Sequence, residues 1–198
     1  MRLREAHRSL WMLLSIAVGI GGFACKEQKK SANPKNPAPA VTKKTQSEET
    51  PVTPAGQLDL AIKYYTGEGK PKAHKKAAKY FKMAADNGSH QAQFALGCMY
   101  QNGHGVTQNF VKAADCYLKA AQADNPNAQF LLGLSYKEGS GVPRDPLESY
   151  KWIFLAAESG KTQHIAARQQ LDQTYSPAMI AEGRRRADQF RMYQGVNN

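Results

Sequence analysis

The sequence has no hydrophobic run long enough to cross a bilayer. Its longest, WMLLSIAVGIGGFA at 11–24, has 14 residues, against the roughly 20 that a spanning helix needs. There is no HExxH, no nucleophile elbow and no pair of carboxylates set for acid–base work, so the commoner hydrolase sites are missing. The five histidines, His7, His74, His90, His104 and His164, are not at metal-ligand spacing. SGKT at 159–162 mimics the end of a phosphate-binding loop. That loop needs a glycine where Leu155 stands, and it must follow a strand rather than a helical segment. No cofactor and no intrinsic catalysis are expected. Acidic residues are scarce, 16 against 27 Lys and Arg, for a formal net charge of +11. The first 24 residues, which hold Arg2, Arg4, Arg8 and Glu5, account for only part of it; the remainder carries +9. Such a balance suits an anionic surface, nucleic acid or an acidic partner, though it most often serves solubility.

What is present begins with a targeting pattern. The basic stretch MRLREAHRSL leads into the apolar run, which ends in small residues, the form of a secretory signal peptide over residues 1–24. GFAC at 22–25 resembles a bacterial lipobox, in which cleavage falls before a diacylated cysteine. Ala24 fits that pattern, Gly22 departs from its usual leucine, and Phe23 is bulky for its position. Cys25 is therefore a candidate lipidation site. The alternatives are a secreted protein cleaved nearby or an uncleaved signal anchor. Each exports the chain, to the periplasm or to a membrane-anchored state. Residues 25–55 are rich in Lys, Pro and Thr and lack an apolar period. They are expected to form a disordered tether reaching roughly 30 Å root-mean-square.

Beyond the tether the chain repeats itself three times. LAIKYYTGEGK (60–70), LGCMYQNGHGV (96–106) and LGLSYKEGSGV (132–142) align at a spacing of 36 residues. Leu60, Leu96 and Leu132 correspond, as do Tyr64, Tyr100 and Tyr136, and the glycines at 67, 103 and 139 and at 69, 105 and 141. Ala84, Ala120 and Ala156 continue the register, and Tyr80, Cys116 and Trp152 share one position. A fixed period of this length marks a solenoid of stacked units over 56–161. Each unit reads as two helices. The GxG pair closes the first, because glycine accepts the left-handed conformation of a helix C-cap. Asp145 with Pro146 opens the second helix of unit three, and Asn109 that of unit two. Ala73 stands at the same place in unit one and supplies no cap. Gly88 and Gly160 close second helices, with Asp124–Asn125 doing so in unit two. Gly97 and Gly133 lie mid-helix, which predicts close approach of a neighbour, with Ala77, Ala113 and Ser149 as the expected partners. Residues 162–198 lose the period but remain helical, with Ser176 as N-cap and Pro177 at N1, as expected for a capping end.

The set Leu-Gly-x-x-Tyr-x-x-Gly-x-Gly-Val, then Asn or Asp, then an Ala-rich helix ending in Ala-Ala, resembles the Sel-one-like repeat family, a branch of the tetratricopeptide-like helical repeats. Units two and three carry nearly all its marks. Unit one is degenerate, with Ala61 for Gly and Lys70 for Val. The resemblance implies an all-α, right-handed solenoid. It also implies that a protein or peptide partner binds the concave face formed by first helices. That face would carry Ile62 and Tyr65, then Phe94, Cys98 and Gln101, then Phe130, Leu134 and Lys137. The alternative for Phe94 and Phe130 is packing against neighbouring repeats. Cys98 and Cys116 could pair in an exported chain, but disulfide-rich members of the family staple helices in a different register.

The expected function is thus an exported, non-catalytic adaptor. Competing readings are a cell-envelope enzyme or enzyme regulator with an unrecognised site, or a binder of anionic surfaces through the basic faces at KPKAHKKAAKYFK and Arg184–Arg186. No nucleic-acid partner is expected. His104 has no counterpart in the other units, where Glu68 and Ser140 stand, so GHG is read as fold punctuation.

Overall fold

The computed structural model describes residues 53–197, and within them every regular element is a helix. Three pairs follow one another: α1 (Pro54–Thr66) with α2 (His74–Asp86), α3 (His90–Asn102) with α4 (Phe110–Gln122), and α5 (Pro126–Glu138) with α6 (Pro146–Ala157). Then come α7 (Thr162–Thr174) and α8 (Pro177–Asn197). Each first helix packs on its partner, and each second helix packs also on the first helix that follows, giving an all-α helical-repeat solenoid. The proposed signal peptide, Cys25 and nearly all of the tether lie outside the described residues. None of the described helices is long and apolar enough to cross a membrane.

Helix boundaries follow local chemistry. The side chains of Ser89, Asn109, Asn125 and Asp145 accept hydrogen bonds from first-turn amides. Such a cap is worth about 1 kcal/mol. Helix α1 starts two residues before the expected boundary at 56, because Thr53 caps it and Pro54 occupies its first turn. Ala73 does fail to cap α2. Gly67, Gly103 and Gly139 end the first helices at φ of 85°, 71° and 75°. Asp124 takes the place of Gly88 and Gly160 and is the one non-glycine residue with positive φ among those described, at 56°. The turn is therefore kept although the favoured residue is absent.

Two glycine contacts set the spacing of the stack. A Cβ on Gly105 would lie 2.3 Å from the carbonyl of His74, and one on Gly141 would lie 2.0 Å from the carbonyl oxygen of Phe110. The second glycine of each loop thus touches the backbone that opens the second helix of the preceding unit. Gly69, in the first described unit, meets nothing within 4 Å among the described residues. Gly97 and Gly133 also permit close approach, but against different atoms from those expected. Gly97 faces the Tyr117 ring and Cys116 Cβ rather than Ala113, and Gly133 faces Ile153 as well as the Ser149 carbonyl. An alanine-rich seam of Ala77, Ala84, Ala113, Ala120, Ala121 and Ala156 is almost wholly buried between the helices.

The C-terminal end departs from the repeat. Helix α7 docks on α6 as a further first helix would, but α8 packs chiefly back on α6. Gly183 lets it approach the Tyr150 ring, Phe190 meets Trp152 edge-on at 5.0 Å, and Gln194 donates to the Gln122 carbonyl at 2.8 Å. If backbone approach sets the stack, Gly141→Ala should destabilise well beyond the ~1–2 kcal/mol left-handed cost that is all Gly69→Ala incurs. Chemical denaturation of the two variants measures the difference, and equal losses would show that the contact at Phe110 is not limiting.

Candidate functional site

The residues expected on the first-helix face form three rows at the repeat spacing: Leu58, Phe94 and Phe130; Ile62, Cys98 and Leu134; Tyr65, Gln101 and Lys137. The structure uses these rows differently. Phe94 is 4% exposed and packs 6.0 Å from the Tyr117 ring. Phe130 is 2% exposed and stacks on His164 at 4.6 Å. Cys98 and Leu134 are also buried. These four were expected on an open groove; a partner has almost no surface of them to touch. The reason is the helix beside each row: α4, of the same pair, covers Phe94, and α7, after the last pair, covers Phe130. Ile62 remains half-buried.

The third row stays accessible. Tyr65, Gln101 and Lys137 are half-buried and sit in the last turns of α1, α3 and α5. The Tyr65 hydroxyl is 3.3 Å from His104 Nδ1 in the following loop, and its ring meets His74 edge-on at 5.1 Å. His74 and His104 stack at 5.4 Å. His104, read as punctuation, is therefore also a neighbour of the candidate face. Its lack of counterparts at Glu68 and Ser140 was the only sequence signal of that. Gln101 Oε1 accepts from the Tyr117 hydroxyl at 2.5 Å, which leaves its amide nitrogen for other partners. The row thus offers a phenol, a carboxamide and an ammonium along successive repeats, a surface for recognition rather than bond-making.

The thiols add no chemistry. Cys98 and Cys116 are both buried and are not joined by a disulfide. Burial pushes the Cys116 thiol up to about 11, so little of it is thiolate at neutral pH.

His164 marks the junction with the cap. It fills the position of Ala92 and Ala128 in the repeat and is fully buried. Its Nδ1 lies 3.1 Å from the Ala156 carbonyl and 3.0 Å from Ser159 Oγ. A carbonyl only accepts, so Nδ1 carries the proton, and Nε2 is left to accept from Gln163 Nε2 at 3.3 Å. Burial, opposed in part by the Ala156 bond, lowers its pKa below 6.5.

Three helix pairs at a constant repeat, closed by a divergent end, define the class: a tandem helix-pair repeat solenoid. The Sel1 repeat model matches residues 54–89, 90–125 and 126–161, more than half of the chain, and the protein belongs to the Sel1 repeat family. Among solved structures it is similar to a Sel1 repeat protein from Oxalobacter formigenes, with 35% identity and a TM-score of 0.56 over 59% of this chain and 47% of that one. It is also similar to a protective antigen of uropathogenic Escherichia coli displaying an SLR fold, with 40% identity and a TM-score of 0.54 over 56% of this chain and 24% of that one. The chain therefore spans less than half the length of either. No curated protein matches it in sequence. Sel1 repeat proteins are typically non-enzymatic protein-interaction scaffolds.

A histidine whose folded pKa is lowered stabilises the fold fully above its unfolded value. That contribution fades as pH falls from about 6.5 toward the lower folded value, because the unfolded chain takes the proton first. His74, lowered mainly by burial, acts in the same direction. Denaturant midpoints should fall between about pH 7 and pH 5. His164→Gln should be less stable throughout but show a shallower decline; an unchanged slope would mean that His164 is not a source of the pH dependence.

Proposed function

We propose that this protein is an exported adaptor that binds a protein or peptide along the first-helix face, through the row of Tyr65, Gln101 and Lys137 with Ile62 at its open end. The observation that carries this reading is the selective exposure of that row. In the second and third units packing buries the other two rows, while this one stays half-exposed in every unit with different chemistry. A helical repeat fold that varied only where it is accessible would be suited to reading a specific extended or helical ligand. Truncating an interface anchor typically costs more than about 1 kcal/mol of binding. Export is supported by the basic and apolar pattern of residues 1–24 and the small residues before Cys25.

Site-specific photo-crosslinkers test the face in the cell that makes the protein. Placed at Gln101 and at Lys137, they should yield the same discrete adduct. Placed at exposed Lys119 on α4, the crosslinker should not. Adducts that are equally abundant from all three positions would remove the face from the proposal. Lipidation is tested separately, because a palmitate analogue should label the chain and fail to label Cys25→Ala. An unlabelled chain with a mature N-terminus elsewhere would make it a secreted or signal-anchored protein.

A further inference from the structure

Several cations of the folded part are held by carboxylates. Lys63, Lys82 and Lys119 each engage an aspartate one helical turn away at 2.6–2.8 Å. Arg185 and Arg186 share Glu182. The segment 70–79 has five lysines and no acid. Lys72, Lys75 and Lys79 are exposed and have no carboxylate partner among the described residues. Lys70 and Lys76 lie over the ring of Tyr64 at 5.4 and 5.1 Å. Tyr64 is itself buried and stacked on Tyr80 at 5.8 Å. The repeat does not impose the whole ridge, although Lys112 stands at the position of Lys76, Arg144 at that of Lys72 and Lys151 at that of Lys79. At the positions of Lys70 and Lys75 the later units carry Val106 and Val142, and Val111 and Leu147. At the position of Lys79 the second unit has Asp115, which pairs with Lys119. Like charges set this close repel one another, which a ligand of opposite charge would relieve.

We infer that this lysine ridge on the first helix pair lies against an anionic lipid surface. Three observations favour lipid over other polyanions. Tyr64 and Tyr80, the tyrosines beneath the ridge, are buried, so their rings are not available for the base stacking that single-stranded nucleic acid uses. None of the large exposed apolar side chains, Phe110, Val111, Met192 and Tyr193, belongs to the segment, so it lacks the anchor that a protein interface is built around. The ridge also belongs to the unit joined directly to residues 25–55, which carry six more lysines and follow the apolar run at 11–24. On the export reading this unit, nearest in sequence to the run and to Cys25, is the one that would meet a bilayer to which either is attached. Each lysine near an anionic membrane strengthens association about fivefold. The inference draws on the export reading for its setting, but its test does not require lipid on Cys25.

The full-length chain is mixed with vesicles of phosphatidylcholine, with or without about one-quarter phosphatidylglycerol, and its amines are acylated under limiting reagent. Mass spectrometry then reads each lysine. The expected result is at least about fivefold slower acylation of Lys72, Lys75 and Lys79 on the anionic vesicles only, with Lys119 and Lys137 unchanged. The protection should vanish at about 1 M salt, where the Debye length is ~3 Å. A K72E/K75E/K79E chain, shown by circular dichroism to melt as the parent does, should lose at least about tenfold in partitioning to the anionic vesicles relative to the parent. Equal acylation on neutral and anionic vesicles would overturn the inference. So would protection by polyuridylate or polyglutamate without protection by vesicles, which would give the ridge to nucleic acid or to an acidic protein. Failure at Cys25 with protection at the ridge would separate the two proposals.

Discussion

The approach of one backbone to another, where Gly105 meets the start of α2 and Gly141 the start of α4, fixes the distance between units. A side chain at either glycine would hold the units apart. Once the loops are seated, the alanine seam can close, and burial of many small residues then holds the array together at roughly 25 cal/mol per Å² of apolar surface. The bulky residues occupy the few wider spaces: Phe81, Tyr117 and Ile153 at one repeat position, Phe94 and Phe130 at another. The accessible row at the ends of α1, α3 and α5 owes its spacing to the same contact, since the interval between loops is also the interval between Tyr65, Gln101 and Lys137.

Much of this was legible in the residues. The 36-residue register, the glycines that close first helices and the caps at Asn109 and Asp145 each rest on a local preference that the structure uses. The first helix of unit one was placed two residues late because Thr53 and Pro54 were read as tether. What could not be read was depth. A period tells which residues share a face and not how far the next unit covers it, so Phe94 and Phe130 looked like anchors until His164 and Tyr117 were found against them. His164 itself seemed to end the repeat, since histidine replaces alanine. In space it keeps the alanine's position, because the Ala156 carbonyl and Ser159 satisfy the larger side chain. Asp124 shows the reverse case, in which position prevails over residue preference.

The two ends of the array are unequal. At its first described unit Gly69 keeps the loop conformation but meets no backbone among the described residues. At its last, α8 turns back, and Arg186 reaches Glu148 at 3.1 Å beside the start of α6, where another unit's loop would sit. The surface chemistry differs in parallel: unpaired lysines on the first pair, and arginines tied into carboxylate pairs at the cap. Partner recognition along the row and lipid contact at the ridge would thus draw on different parts of one molecule.

The return of α8 also changes how the chain folds and resists force. A stack whose units touch only their neighbours behaves as a one-dimensional lattice, free to fray from either end. The Gln194–Gln122 bond joins residues 72 positions apart and closes the longest loop among the described hydrogen bonds. That closure is entropically slow relative to the local helix pairing before it. Once made, it couples the second and third units to the C-terminal helix, so the unclosed first unit is the end from which a stretched molecule would unravel.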